Sequence, residues 1–216
     1  MQLYSYFRSS AAYRVRIALN LKGLDYQIKP VHLLADGGQQ HHAAYRKLNP
    51  AELVPTLVDG DATLTQSLAI IEYLDETYPA TPLLPADALG RAHVRALAQA
   101  IACDTHPVNN LRVLRYLSRE LDVEQEQRDQ WYRHWVNLGL QAVEHMLVDS
   151  AKTGRFCHGD QPGLADAVLV PQVFNARRLQ CDLSSVPNIT RIDAACQELE
   201  AFWQAAPDNQ PDAPAT

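Results

Sequence analysis

The sequence predicts a small α/β domain followed by an all-helical domain. In the first 80 residues, short strand-like segments alternate with helical patterns in the order β-α-β-α-β-β-α. A stretch with three prolines in ten residues follows at 79–88, and beyond residue 87 only helical patterns recur. We therefore expect an α/β domain at 1–80, a linker at 81–87 and a helical domain at 88–212.

Each element of the α/β domain has a local signal. Gly23 suits the position just after a helix, and Pro30 restricts its strand to the edge of a sheet. Asn49-Pro50 stops a helix, and Gly60-Asp61 is typical of a hairpin turn. The predicted strands are 2–6, 26–33, 54–60 and 62–67, and the predicted helices are 12–22, 39–48 and a helix opened by Ser67 that runs to 78.

The remainder of the chain shows helical spacing of apolar residues. Its predicted helices are 90–106, 108–121, 125–148, 164–179 and 189–206. The last ten residues, 207–216, are polar and rich in proline, so we expect a loose tail.

Composition narrows the class of protein. The net charge of -6 argues against a nucleic-acid partner, and no run approaches the ~18 apolar residues of a membrane span. The N-terminus lacks the apolar segment of a secretory signal, and the four cysteines form no C-x-x-C pair. His41-His42 has no third metal ligand at a suitable spacing. These features favour a cytoplasmic protein without a metal centre.

Two predicted helix starts could bind anions. Arg8, Ser9 and Ser10 follow the first strand directly, and Gln66-Ser67 opens the helix after the hairpin. Free N–H groups and the helix dipole favour negative charge at such positions. For Gln66-Ser67, the alternative is a simple serine cap.

A proline at the start of the third strand permits two interpretations. The Val54-Pro55 bond could be cis, which would free the main chain of Val54 to pair with a peptide-like ligand. Alternatively, the proline merely begins a strand.

Several longer segments resemble a known family. SYFRSSAAYRVRIALNLKG, LNPAELVPTL, QSLAIIEYL, CDTHPVNNLRVL and GDQPGLADAVLVPQVFNARR are together similar to zeta-class glutathione transferases. The resemblance runs from about residue 2 to 212, and its most specific part is the run at 9–19. It implies a thioredoxin-like first domain, a homodimer and glutathione as cofactor. The family includes the maleylacetoacetate and maleylpyruvate isomerases.

The resemblance also assigns roles to individual residues. The expected glutathione site comprises Ser9, Ser10, Gln40, Val54, Gln66, Ser67, His106, Asn110 and Arg112. Ser9 and Ser10 would face the thiol. Ser9 is favoured as the donor to the thiolate because it lies at the turn between strand and helix, and Ser10 would then be a helix cap. For a dicarboxylate substrate, the expected arginines are Arg8, Arg112 and Arg178, with Arg177 competing for the last role.

The chain departs from the family pattern at two positions. Ala11 stands where the family has a cysteine, which excludes a mechanism that needs a protein thiol there. Gly163 stands where a Ser or Thr normally caps a helix, so we expect Asp166 to cap the first turn of that helix.

The implied reaction is cis–trans isomerisation of a maleyl keto acid by addition and loss of a thiolate. The alternatives are a conjugating transferase or an α-haloacid dehalogenase of the same fold, and a non-catalytic binding module. Maleylpyruvate and maleylacetoacetate both fit the sequence.

Other distinctive residues have ordinary interpretations. We expect Arg14 and Arg16 on the helix surface or in structural ion pairs, and Cys103 in packing. The tryptophans Trp131, Trp135 and Trp203 are expected in a core or an interface.

Overall fold

The computed structural model describes residues 1–214 and divides them into two compact units. One unit combines residues 1–83 with 197–214, and the other is Leu84–Cys196. The domain limits given above stay a prediction. The tertiary contacts add that the end of the chain, which the sequence assigns to the helical domain, packs with the first unit.

The first unit contains a four-stranded mixed sheet in the order β2-β1-β3-β4. Strand β1 is parallel to β2 and antiparallel to β3, and β3 pairs with β4 as a hairpin. The strands are β1 (Gln2–Ser5), β2 (Gln27–Pro30), β3 (Thr56–Asp59) and β4 (Ala62–Thr65). The predicted hairpin and the predicted edge position of Pro30 are confirmed.

The predicted helices are present, with three of them interrupted. The α-helices of residues 1–214 are, in chain order, α1 (Ser10–Leu21), α2 (Ala43–Leu48), α3 (Ser67–Thr77), α4 (Ala88–Gln99), α5 (His106–Val108), α6 (Leu111–Arg119), α7 (Gln125–Val148), α8 (Leu164–Arg178), α9 (Pro187–Gln197) and α10 (Glu200–Ala205). The predicted helix at 39–48 is a 3-10 turn, Gln39–His41, followed by an extended His42 and α2. The predicted helix at 90–106 is α4 followed by a π-helical segment, Ala100–Thr105. The predicted helix at 189–206 is divided at Leu199, whose main chain is extended.

Helix α1 is buried along its middle on every side. All residues from Ala12 to Leu19 are buried, including Arg14 and Arg16. The helix contacts α3 and, near the end of the chain, α10. Gly23 follows α1 with φ of +64°, as expected for the residue after a helix end.

The prediction of a loose tail is wrong for residues 207–214. A 3-10 turn forms at Pro207–Asn209, and the Gln210 side chain donates to the carbonyls of Gln204 and Ala206. The Asp212 carboxylate accepts a hydrogen bond from the amide of Phe7. Residues 215 and 216 lie outside the described part of the chain. Within 1–214, no helix is long and apolar enough to cross a membrane.

Candidate active site

The turn between β1 and α1 carries Arg8 and the two serines. The amide of Ser9 donates to the carbonyl of Tyr6 at 2.9 Å, which closes the turn. Ser9 has extended main-chain angles and is the N-cap of α1, and its Oγ accepts from the Ala12 amide at 3.2 Å. Ser10 is the buried first residue of the helix. The expectation that Ser10 would supply the cap is therefore wrong.

The cap leaves the Ser9 hydroxyl able to act on a ligand. A serine oxygen that accepts a hydrogen bond still has its own hydrogen to donate. The first turn of α1 contains no acidic residue, so no carboxylate offsets the positive end of the helix dipole there. This end of α1 can therefore stabilise a thiolate or another anion.

Arg8 is exposed beside the serines. Its guanidinium lies over the ring of Phe7, with Cζ 5.4 Å from the ring centroid, and its Nη2 donates to the Tyr6 hydroxyl at 3.4 Å. These contacts hold the guanidinium against aromatic surface and leave most of its donors to solvent or ligand.

The Val54-Pro55 segment lies next to the same turn. The peptide bond is cis, and the side chain of Val54 packs in one cluster with Tyr6 and Phe7. The strand registers of β3 begin at Thr56 and do not include Val54, so its main chain is available for an extended ligand. Of the two interpretations given above, the structure has the cis bond.

A second anion-receptive end belongs to α3. Gln66 is the N-cap, with φ of +69°, and Ser67 is the first helical residue. The Ser67 side chain makes no cap bond; its Oγ instead accepts from Nη1 of Arg14 at 3.3 Å. The simple serine cap is therefore wrong for this helix.

Arg14 is a residue near this helix start that the sequence reasoning missed. Its buried guanidinium reaches the N-terminus of α3, which adds positive charge to a site already suited to a carboxylate. A surface position for Arg14 and Arg16 is wrong. The sequence held one signal that these arginines are buried. The other residues at 12–19 are apolar and lie on all sides of α1, so the helix has no polar face on which an arginine could reach solvent.

Gln40 lies in the irregular segment before α2. Its side chain is buried, its Nε2 lies 3.0 Å from Nε2 of His41, and its Oε1 has no hydrogen-bond partner within residues 1–214. A buried amide oxygen without a partner is costly, and a polar ligand would relieve that cost. His41 itself is exposed and is paired with Glu52, which is half-buried.

Three of the expected residues of the second unit share one turn. Asn110 is the N-cap of α6, where its Oδ1 accepts from the Arg112 amide at 3.1 Å. Its Nδ2 lies 3.1 Å from Nε2 of His106. Trp131 of α7 donates from Nε1 to the carbonyl of Val108 at 2.8 Å, which fixes this turn to the long helix.

Close packing of α7 also supports this region. Gly139 faces Thr105, and a Cβ at position 139 would lie 2.0 Å from the Thr105 Oγ1. Only glycine permits that approach, which sets the end of the π-helical segment immediately before His106.

The two arginines at the end of α8 have different surroundings. Arg177 is ion-paired with Asp193 of α9, whereas the exposed Arg178 lies beside Tyr132 of α7. Burial raises the pKa of Tyr132 to about 12, and Arg178 partly offsets that rise. The arrangement favours Arg178 over Arg177 as the arginine available to a ligand.

Other expected residues have simpler outcomes. Asp166 accepts from the amides of Gly163 and Cys157, so the predicted cap of α8 is confirmed. Cys103 is exposed, so its predicted packing role is wrong. Trp203 is 59% exposed and lies outside any core of the chain, and its interface role stays a prediction. Residues 1–214 contain no group of three potential metal ligands.

Known proteins similar to this chain agree in sequence and in fold. Residues 3–82 match the family described as glutathione S-transferase, N-terminal domain. A probable maleylacetoacetate isomerase of Vibrio cholerae is 54% identical over 211 residues, covering 98% of this chain and 97% of the relative.

Two solved structures extend the comparison. The holo structure of maleyl pyruvate isomerase, described as a bacterial glutathione S-transferase in zeta class, has a TM-score of 0.96 at 48% identity and covers 99% of this chain and 100% of its own. A maleylacetoacetate isomerase of Methylobacterium extorquens AM1, with bound malonate and glutathione, has a TM-score of 0.95 at 41% identity and covers 100% of both chains. The chain therefore belongs to the zeta-class glutathione transferases, the family of the maleylacetoacetate and maleylpyruvate isomerases.

Proposed function

We propose that this protein is a glutathione-dependent cis–trans isomerase that converts a maleyl keto acid, maleylpyruvate or maleylacetoacetate, to its fumaryl isomer. The observation that carries the proposal is the position of Ser9, at the start of α1 and beside the cis Val54-Pro55 segment. The relatives' names and the ligands bound in their structures support the same reaction.

Glutathione is bound along the first unit in this proposal. The γ-glutamyl carboxylate lies at the N-terminus of α3, held by Gln66 and Ser67 with the charge of Arg14 behind them. The cysteinyl main chain pairs with Val54, and Gln40 reaches the glycine end. The thiol then faces Ser9 and Ser10.

The first unit has enough interactions to activate the thiol. Lowering a pKa of ~8.5 by ~2 units requires ~2.7 kcal/mol in favour of the thiolate. One hydrogen bond to a charged group contributes ~1.5–3 kcal/mol, and a helix N-terminus ~0.3–2 kcal/mol. The Ser9 hydroxyl and the start of α1 are therefore sufficient without a general base.

The reaction needs no external oxidant or proton. The thiolate adds to one alkene carbon, and the electron pair of the double bond moves onto the conjugated carbonyl as an enolate. The carbon–carbon bond is now single and rotates. The enolate re-forms the double bond and expels the thiolate, so glutathione is regenerated and the product is trans.

The substrate's two carboxylates require cations. Arg8 adjoins the thiol site, and its planar guanidinium suits a carboxylate or the enolate oxygen. By the resemblance, Arg112 and Arg178 supply further positive charge for the substrate. The same resemblance assigns His106, Asn110 and Arg112 to glutathione. Because Ala11 has no thiol where the family has a cysteine, glutathione is the source of the nucleophilic sulfur.

The test is an ultraviolet assay with each keto acid, with and without catalytic glutathione, followed by titration of free thiol. We expect cis-to-trans conversion with glutathione unchanged. Ser9→Ala should lower kcat/KM by about 10- to 100-fold, the worth of one hydrogen bond to a thiolate. Ser10→Ala should have a smaller effect, and Ser185→Ala, an exposed serine far along the chain, should have none.

Other results would contradict parts of the proposal. Consumption of glutathione would indicate a conjugating transferase, and release of halide from α-haloacids would indicate a dehalogenase. Glutathione binding without conversion of any of these substrates would indicate a non-catalytic module.

A further inference from the structure

Both main-chain groups of Phe7 are held by charged side chains. Phe7 and Arg8 are the two central residues of the turn that the Ser9–Tyr6 hydrogen bond closes. The amide of Phe7 donates to Oδ2 of Asp212 at 2.9 Å, and its carbonyl accepts from Nη2 of Arg16 at 3.0 Å. The peptide units on either side of Phe7 are thereby fixed, and Arg8 and Ser9 follow directly.

Arg16 fixes this turn from within the first unit. Its side chain is 0% exposed, and besides Phe7 it donates to Oγ of Ser5 at 3.0 Å and to the carbonyl of Ala205 at 2.9 Å. Burial lowers the pKa of Arg16 to about 10, so it stays protonated at neutral pH. The planar guanidinium thus joins the end of β1, the turn and the end of α10 in one fixed geometry.

Asp212 is brought to the turn by the folded tail. Gln210 is bonded to the carbonyls of Gln204 and Ala206, and the amide of Ala213 donates to the carbonyl of Gln210 at 3.0 Å. The Asp212 carboxylate also faces the Arg16 charge, which raises the pKa of that arginine against the effect of burial. Its Oδ1 has no hydrogen-bond partner among residues 1–214.

We propose that Asp212 and Arg16 are positioning residues of the isomerase, which hold the Phe7 peptide so that the Ser9 hydroxyl and the Arg8 guanidinium point at the thiol and the substrate. The inference rests on the proposed function, because it gives the tail a role in the thiol site. A displacement of a catalytic group by a fraction of an ångström to 1 Å is enough to slow a reaction strongly. The tail therefore helps to place the catalytic turn, although Asp212 is 205 positions from Phe7 in the sequence.

The experiment uses the full chain with Asp212→Ala, which removes the acceptor for the Phe7 amide. Asp212→Asn keeps an oxygen that can accept the bond, and Asp208→Asn is the matched control because Asp208 is exposed on the same tail. Three quantities are measured: the pKa of the bound glutathione thiol from its ultraviolet thiolate absorbance, kcat and KM for the keto acid, and the melting temperature.

The expected result separates placement from stability. Asp212→Ala should raise the pKa of the bound thiol towards that of free glutathione and lower kcat about tenfold, with a smaller change in KM. Asp212→Asn should retain most of the activity, and Asp208→Asn should match the wild type. If Asp212→Ala does not fold, Asp212→Glu, which displaces the carboxylate by one methylene, should raise the thiol pKa in the same direction.

A lower melting temperature with unchanged thiol pKa and kcat in the folded Asp212 variants would overturn the inference and leave the tail a structural role. Failure of the proposed function is a separate result, because it requires that the wild type converts neither keto acid. If the wild type is active and the Asp212→Ala and Asp212→Glu variants have the same turnover, only the positioning role is contradicted.

Discussion

Neighbouring residues of the same type have different surroundings in this protein. Ser9 accepts the cap bond of α1 at the turn, while Ser10 is buried one position later. Arg14 reaches the start of α3, and Arg16 reaches the turn at Phe7. The sequence places each pair side by side, but the direction of each side chain is set by the element that packs against it.

The two arginines at the end of α8 provide a test at this scale. Arg178→Ala should raise KM for the keto acid by about tenfold or more, because a charge-assisted hydrogen bond to a carboxylate is lost. Its melting temperature should stay close to the wild type. Arg177→Ala should instead lower the stability by about 1–2 kcal/mol through loss of the Asp193 ion pair, with KM unchanged. Steady-state kinetics and thermal melts of both variants measure this contrast, and a KM effect confined to Arg177→Ala would reverse the assignment.

At the scale of elements, the candidate anion sites of the first unit are the starts of two helices. The first turns of α1 and α3 contain no acidic residue, so no carboxylate there offsets the positive end of either helix dipole. In the second unit, α8 uses Asp166 to satisfy its own first turn and the Cys157 amide, and burial raises the pKa of that carboxyl while the hydrogen bonds lower it. The first two ends suit a negatively charged ligand, whereas the third has a structural role.

Helix α10 shows how a short element supports the site. Phe202 is 0% exposed, and α10 packs against α1 within the first unit. Phe202→Ala should therefore lower the free energy of unfolding by about 3–5 kcal/mol, as removal of a buried aromatic side chain typically does. The adjacent Trp203→Ala is the control: its side chain is 59% exposed, so we expect a loss below about 1 kcal/mol. Denaturant titration of both variants measures the difference, and equal losses would mean that α10 does not anchor on α1.

At the scale of the whole molecule, the last residues of the chain pack with the first unit. Residues 197–214 follow the second unit in sequence but belong to the first unit. There, the carbonyl of Ala205 and the carboxylate of Asp212 take part in the contacts around the turn. The first unit therefore depends on both ends of the chain, and the turn that carries Ser9 is held by Arg16 and Asp212.

The oligomeric state is also a property of the whole molecule. We propose a homodimer, as the resemblance implies. Sedimentation equilibrium at assay concentrations should give the mass of two chains. The mass of a single chain in a fully active preparation would contradict the proposal.

The sequence by itself determined the element order, because helix and strand periodicities and the Gly and Pro positions are local signals. Gly23, Pro30 and Gly60 marked their boundaries correctly, and the resemblance identified the family. The cap at Asp166 was also predicted, because capping depends on residues three positions apart.

Only the tertiary structure decided which polar groups are buried and what they contact. Arg14 meets Ser67 across 53 positions, and Arg16 meets Ala205 across 189. Phe7 meets Asp212 across 205. No local pattern encodes such pairs, because they form only when packing removes water from both partners and makes an unpaired donor costly. The residues around the turn were therefore recognisable from sequence, but the contacts that hold the turn were not.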